Sequence, residues 1–496
     1  MNTLPGNKPV SKVVIAGGGT AGWMAAAALS KLLGKSIQVT LVESDEIGTV
    51  GVGEATIPPI RTLHKLLGID EREFMRATNA TFKLGIQFEN WGAQGDSYIH
   101  SFGITGRECW AGEFHHFWLR AKSQGLDMPF GAFCLEHEAA IANKFALTND
   151  VPLNFAYHLD ATRYGLFLRD MAKQHQVQRK EGKITRVQQC PKSGFISALT
   201  LDSGEQVEGD LFIDCTGFRG LLIEQTLHTG YDNWSHYLPC DSALAVQCGG
   251  NTSPRPYTRS IAHEAGWQWQ IPLQNRIGNG LVYAQGFIDD DKAKALLMNN
   301  LPGEPLHDPR VIRFTPGKRR KGWHKNCVAL GLASGFIEPL ESTSIHLIMT
   351  GLVRLMRLFP SNGITESAIN EYNNKFDSEM QCILDFIAMH YAVTERRDSG
   401  FWRHCATMEL PASLQHKIAL FKETGRVFLD DGDIFRVDSW TQVMLGQRLL
   451  PAQYHPICHE MGQAEFQRFM QGLQQQVKSK CERLLEHGEF VQRYLG

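Results

Sequence analysis

The sequence predicts an α/β protein with a doubly wound, largely parallel sheet, other segments interleaved between its strands, and a mainly helical C-terminal part. Three observations carry that expectation. The apolar run Val13-Val14-Ile15-Ala16 leads through a glycine-rich turn into a helix-forming stretch over residues 24–32. Strand-like segments at residues 12–16, 38–43, 211–214 and 327–330 each run into a glycine-bearing turn, as strands of a doubly wound sheet do. Later in the chain Ile369, Tyr372, Phe376, Met380, Ile383, Ile387 and Tyr391 recur at steps of three and four, which marks one buried helix face and reads as core packing. A second helical stretch is expected over residues 465–489. No repeat, low-complexity tract or long linker divides the 496 residues into independent pieces.

Composition narrows the function class. A formal net charge of -2 with 21% charged residues provides no concentrated positive surface, so neither nucleic acid nor a membrane is expected as a partner. The apolar stretch over residues 13–29 is interrupted by four glycines and followed by no cleavage site, and no run of about 20 apolar residues appears. Eleven cysteines are scattered singly, without a C-x-x-C pair or a histidine at metal-ligand spacing. They read as buried reduced thiols in a cytoplasmic protein, and no metal site is expected.

Gly17-Gly18-Gly19-Thr20-Ala21-Gly22 places G-x-G-x-x-G between that first strand and helix. Gly17 permits the tight turn, Gly19 lets the backbone approach a pyrophosphate, and Gly22 allows close packing of helix on strand, with the phosphates at the positive helix N-terminus. Glu43 ends the next strand where a carboxylate accepts hydrogen bonds from a ribose hydroxyl, which disfavours a ribose phosphate and therefore NADP. The motif alone does not choose between NAD and FAD. Two later strand ends, Asp210-Leu-Phe-Ile-Asp214-Cys-Thr-Gly217 and Cys327-Val-Ala-Leu-Gly331, look like the second and third flavin contacts of FAD monooxygenase-like folds and favour FAD.

Beyond these motifs, the chain resembles the flavin-dependent tryptophan halogenase family over most of its length. Residues 17–26 look like that family's form of the FAD motif, and Gly51-Val-Gly53-Glu-Ala55-Thr-Ile-Pro58 resembles its flavin strap. Gly266-Trp267-Gln268-Trp269-Gln270-Ile271-Pro272 fits the W-x-W-x-I-P signature that separates these enzymes from flavin hydroxylases. The resemblance implies an FAD-binding sheet of the flavin monooxygenase type. FADH2 would come from a separate reductase, and oxygen and chloride or bromide would yield hypohalous acid that is kept from bulk water on its way to an indole-type ring. Thr20, Ala21, Leu332 and Ile345 join the glycines and Asp214 among the implied cofactor contacts. The FAD module would occupy residues 1–350 discontinuously with substrate-binding insertions, and the helical residues 351–496 would complete the substrate site in a monomer or homodimer.

The implied catalytic lysine is Lys83. Alternation along Thr81-Phe-Lys-Leu-Gly-Ile-Gln-Phe88 puts Phe82, Leu84, Ile86 and Phe88 on one strand face and Lys83 on the other, and by pattern alone that lysine is a solvated one. The resemblance instead makes it the carrier of the electrophilic halogen. Glu341, with Ser342 beside it, matches the catalytic glutamate that stabilises the cationic ring intermediate and removes its proton, although an acid there also suits a helix N-terminus. Thr343 and Ser344 match positions whose backbone N–H groups bind the halide, with serine where the family usually has glycine. His100 and Phe102 correspond to residues that sandwich the indole, and Trp267 and Trp269 to an aromatic wall beside the substrate. The Tyr-Tyr and acidic cluster that holds the amino-acid end of tryptophan is missing, which points to a ring without that zwitterion. A flavin-dependent hydroxylase and a redox-inert flavoprotein are the rival readings.

Overall fold

The protein is described by a computed structural model covering residues 8–48, 53–107, 109, 112–250 and 253–496. Its backbone gathers into two compact units, each made of three stretches of chain. One comprises Met1–Asn79, Leu159–Ser235 and Phe314–Gln381, the other Ala80–His158, His236–Arg313 and Cys382–Gly496.

The first unit is the doubly wound part. Its six-stranded sheet runs in the order Trp323–His324, Cys327–Ala329, Leu211–Asp214, Lys12–Ala16, Gln38–Glu43 and Gln178–Glu181. All pairings are parallel except that of the Trp323–His324 edge. Val13, Val14, Ile15 and Ala16 are buried on both faces, which is why the strand reads as an unbroken apolar run. Ala16 lies level with Asp214, and Asp214 with Ala329, so three neighbouring strands end together and their glycine turns open on one edge. Below this edge Val14, Phe212 and Leu222 pack with Ile196 and Leu199 of an antiparallel sheet, each large side chain contributing about 1.5–3 kcal/mol. The fourth expected strand stops one residue early, at Ala329, because Leu330 turns to donate its N–H to the Asp214 carbonyl.

The second unit holds a seven-stranded sheet in the order Arg310–Arg313, Ser242–Cys248, Ile277–Tyr283, Gly266–Pro272, Tyr257–His263, Gly85–Glu89 and Ser97–Ser101. In this sheet Tyr257–His263 with Gly85–Glu89 is the one parallel pair among the described strands. The single strand expected over residues 81–88 is broken at Leu84. Its N–H bonds to the Pro256 carbonyl and its own carbonyl accepts from Phe102, which turns the chain out of one sheet and into another. Thr81–Lys83 pairs antiparallel with Ala156, Tyr157 and His158, while Gly85–Glu89 enters the large sheet. Phe82, Leu84, Ile86 and Phe88 are all buried, but in different surroundings, with Phe82 stacked on Phe145 and Phe88 on Tyr98.

The apolar stripe forms the helix Glu366–Ala392, whose Tyr372, Met380, Ile383, Ile387 and Tyr391 are buried as expected. The last expected helix divides. Gln463–Glu482 ends, Leu485–Glu486 pairs with Lys144–Phe145, and Glu486 then caps the helix His487–Leu495 by accepting from the Glu489 N–H. None of the eleven cysteines is in a disulfide, but Cys109, Cys190 and Cys215 are only partly buried. Among the described residues no helix is long and apolar enough to cross a membrane, and no group of three or more His, Cys, Asp or Glu is placed to hold a metal ion.

Candidate functional site

The glycines of the first turn do different work. Gly17 sits at φ +108°, and a Cβ there would come within 2.3 Å of the Cys215 carbonyl oxygen, so the first glycine turn lies directly against the second. A Cβ on Gly22 would meet the Gly17 carbonyl at 1.9 Å. Gly19 is different: a Cβ would meet nothing within 4 Å. Protein packing does not require glycine there, but a ligand approaching the backbone does. Gly19 is also the N-cap of Thr20–Leu33, with no side-chain cap and no acid in the first turn. Its N-terminal donors therefore suit a pyrophosphate. Ala21 touches the third turn, since a Cβ on Gly331, at φ +63°, would lie 2.9 Å from the Ala21 Cβ.

Around these turns the carboxylates are tightly bound within the unit. Glu43 accepts from Arg179 Nε at 2.6 Å through Oε1 and from Trp23 Nε1 at 3.2 Å through Oε2, which leaves lone pairs for a ribose hydroxyl. Asp214 is saturated. Its Oδ1 accepts from the Thr216 N–H and hydroxyl, and its Oδ2 from the N–H groups of Leu222 and Ile223, all at 2.7–2.9 Å. This carboxylate shapes the second turn and has no acceptor position left for a ligand, so any part it has in holding a cofactor passes through that turn. Gly217, at φ +73°, has open space above it, and the nearby Phe218 and Leu332 are partly exposed, an apolar edge of the kind a flat ring system covers. Gly53 and Ala55 are buried in the strand Gly53–Ala55, and burial pushes the Glu54 carboxyl between them up to about 7. Gly51 and Val52 of the expected strap lie outside the described residues.

Glu341 closes the 3-10 turn Pro339–Glu341 and is fully buried. Ser342 follows in the left-handed region at φ 60°, and the helix Ser344–Arg357 begins after Thr343. Glu341 is thus three residues ahead of the helix, beyond its first turn. The N-cap residue Thr343 makes no capping bond, its buried hydroxyl oxygen has no hydrogen-bond partner, and no acid stands in the first turn. An uncapped helix start with an idle buried hydroxyl fits a small anion. Ile345, on the first turn, is buried.

In the second unit Lys83 is completely buried, contrary to the solvated lysine that alternation predicts. Its Nζ lies over the ring of Phe102 at 5.2 Å from the centroid. Phe102 is held there by its N–H on the Leu84 carbonyl and by Asn154, whose side chain donates to the Phe102 carbonyl. His100 lies 5.6 Å from Phe386, which stacks on Phe435. Trp267 and Trp269 are core residues of this unit. Trp267 packs on Trp91 and Trp269, and the Trp269 ring occupies the space that a Cβ on Gly280 would need.

Sequence reading missed the polar groups that support this region. Glu136 is buried, accepts from the Asn154 N–H at 2.7 Å and has its pKa raised by burial; Ser101 donates through N–H and hydroxyl to Gln442. His158, also missed, lies opposite Thr81. The only signal for it was a histidine at an inward position of Tyr157-His158-Leu159-Asp160.

The first unit thus has the build of a dinucleotide-binding flavoprotein sheet. The sequence model of the tryptophan halogenase family matches residues 12–463. Tryptophan 6-halogenase ThaL of Streptomyces albogriseolus is 35% identical over 438 residues, covering 83% of this chain and 82% of that protein. Among solved structures, the flavin-dependent halogenase Xcc4156 from Xanthomonas campestris superposes with a TM-score of 0.97 at 54% identity, covering 98% of this chain and 99% of its own. BrvH, a flavin-dependent halogenase from Brevundimonas sp. BAL3, gives 0.94 at 42% identity with the same coverage. The chain belongs to the tryptophan halogenase family of flavin-dependent halogenases.

Proposed function

We propose that this enzyme uses FADH2 from a separate reductase, molecular oxygen and chloride or bromide to halogenate an indole-type ring through Lys83. The carrying observation is the complete burial of Lys83, with its Nζ over the face of Phe102. Burying an ammonium without a task is costly, so a lysine held against an aromatic face away from water speaks for chemistry at that atom. Reduced FAD, when bound at the three glycine turns, supplies with oxygen the two-electron oxidation of halide to hypohalous acid.

The chain's own residues divide the remaining work. The start of the Ser344–Arg357 helix, with the Thr343 and Ser344 N–H groups, holds the halide. Lys83 polarises the hypohalous acid or carries its halogen, His100 and Phe102 stack on the ring, and Glu341 takes the proton that leaves as the aromatic ring is restored. The absence of the zwitterion-binding cluster supports indole or a larger indole-bearing molecule over free tryptophan. ThaL is named as a tryptophan 6-halogenase, so the substrate is the sharpest point of difference to test. With FAD, a flavin reductase and each halide in turn, mass spectrometry should show haloindole exceeding halotryptophan. Turnover of tryptophan far above indole contradicts the substrate reading, and hydroxylated product without halide dependence contradicts the reaction.

A further inference from the structure

We infer that His158 is a positioning residue for halogen transfer, locking the lysine strand to the end of the signature strand through a chain of buried hydrogen bonds. The inference rests on the proposed role of Lys83. In the antiparallel pair, Thr81 faces His158 and Lys83 faces Ala156. Directly opposed residues project to the same face, as do residues two apart on one strand, so Thr81, Lys83 and His158 share a face. His158 is the diagonal neighbour of the lysine, and the small Ala156 opposite Lys83 leaves room for it.

The direction of each hydrogen bond follows from its terminus. The Thr81 hydroxyl lies 2.7 Å from the carbonyl of Pro272, which only accepts, so its proton is spent there. Thr81 Oγ1 must then accept from His158 Nδ1 at 3.1 Å. The remaining ring nitrogen, Nε2, accepts from the Thr258 hydroxyl at 3.0 Å. This assignment requires the neutral ring, and full burial with the Lys83 charge nearby lowers the His158 pKa well below its ordinary value. All four groups are buried. Gln274 adds a second tie at the same point by donating to the carbonyl of Ala80.

The chain of bonds connects the end of the signature strand to a lysine about 190 residues away. Pro272 supplies the carbonyl that orients Thr81, Thr81 orients His158, and the strand carrying Lys83 is pinned on both sides. A lysine on a loosened strand still meets hypohalous acid, but no longer holds the halogen over Phe102, so oxidant is lost.

The test compares Thr81→Val and Thr81→Ser, and His158→Leu, His158→Asn and His158→Gln, with Lys83→Ala alongside. The readout is haloindole formed per flavin oxidised. Valine is isosteric with threonine but breaks both Thr81 bonds, and leucine breaks both His158 bonds. Each should lower coupling at least about tenfold with the KM for indole unchanged. Serine keeps the Thr81 bonds, and asparagine reproduces the Nδ1 donor, so both should stay within about threefold of the parent. Glutamine mimics Nε2 instead and should rescue less than asparagine. In the flavin-free protein, reductive methylation of Lys83, followed by mass spectrometry, should quicken about tenfold in His158→Leu and Thr81→Val. Parental coupling in those two variants, with Lys83→Ala inactive, overturns the positioning role alone. So does a loss in Thr81→Ser equal to that in Thr81→Val. Halogenation by Lys83→Ala would instead overturn the reading on which the inference rests.

Discussion

The glycine turns of the first unit and the lysine strand of the second both carry residues of the proposed chemistry, yet they answer to different physics. At Gly17 and Gly22 the backbone forbids a Cβ outright, by carbonyl oxygens 2.3 and 1.9 Å away. Lys83, by contrast, is a charged side chain at a fully buried strand position. Apolar residues ordinarily fill such positions. Residues dictated by the fold cost stability when changed, whereas residues retained against the interest of the fold cost only function.

The largest expected stability effect falls on the fold side. Gly22→Ala should destabilise the protein by about 3–4 kcal/mol and abolish flavin binding, seen as a lower thermal midpoint and an empty flavin titration, because its new Cβ meets rigid backbone. Asp214→Asn should cost about 2–3 kcal/mol in denaturant unfolding, since an amide nitrogen would face backbone N–H donors that now point at a carboxylate oxygen.

Two buried groups, one in each unit, should respond oppositely to pH. Glu54 has a folded pKa near 7 against 4.5 unfolded, so its neutral form favours folding and that contribution is lost as pH rises from about 4.5 through about 7. His487, buried and lowered to about 4 from 6.5, behaves in reverse: its contribution is present above 6.5 and lost as pH falls through about 4. Each is worth roughly 3 kcal/mol. Denaturant unfolding followed across pH should show Glu54→Gln removing a loss of stability toward pH 8 and His487→Gln removing a loss toward pH 5, each relative to the parent.

The smallest effect separates a glycine kept for the ligand from those kept for the fold. Gly19→Ala adds a methyl to open space at φ -76°, so unfolding should change by less than about 0.5 kcal/mol while flavin affinity falls about tenfold. A stability loss comparable to that of Gly22→Ala would erase the distinction.

How legible each part was in the sequence follows from the same contrast. The strands at Lys12–Ala16, Gln38–Glu43 and Leu211–Asp214 were visible with their bounds because parallel strands buried on both faces have mainly apolar centres, and the first and third run into turns with a glycine at positive φ. The lysine strand was misread because alternation assumes a continuous strand, and the break at Leu84 is imposed by Pro256 and Phe102, neither of them a local neighbour. His158 lay beyond sequence reasoning for the same reason, since its partners Thr81 and Thr258 are 77 and 100 residues away. Asp214 was visible as a strand-end acid, but its saturation by four donors from residues 216–223 was not.

The central claim is that Lys83 is buried for chemistry and not for the fold, and Lys83→Met tests it most directly. The variant should keep the parental fold by circular dichroism, because methionine fills the same buried space with an unbranched chain of similar length. It should oxidise FADH2 at the parental rate and yield no bromoindole from indole and bromide by mass spectrometry. Bromoindole at the parental rate, or loss of the folded state without the lysine, would contradict the account.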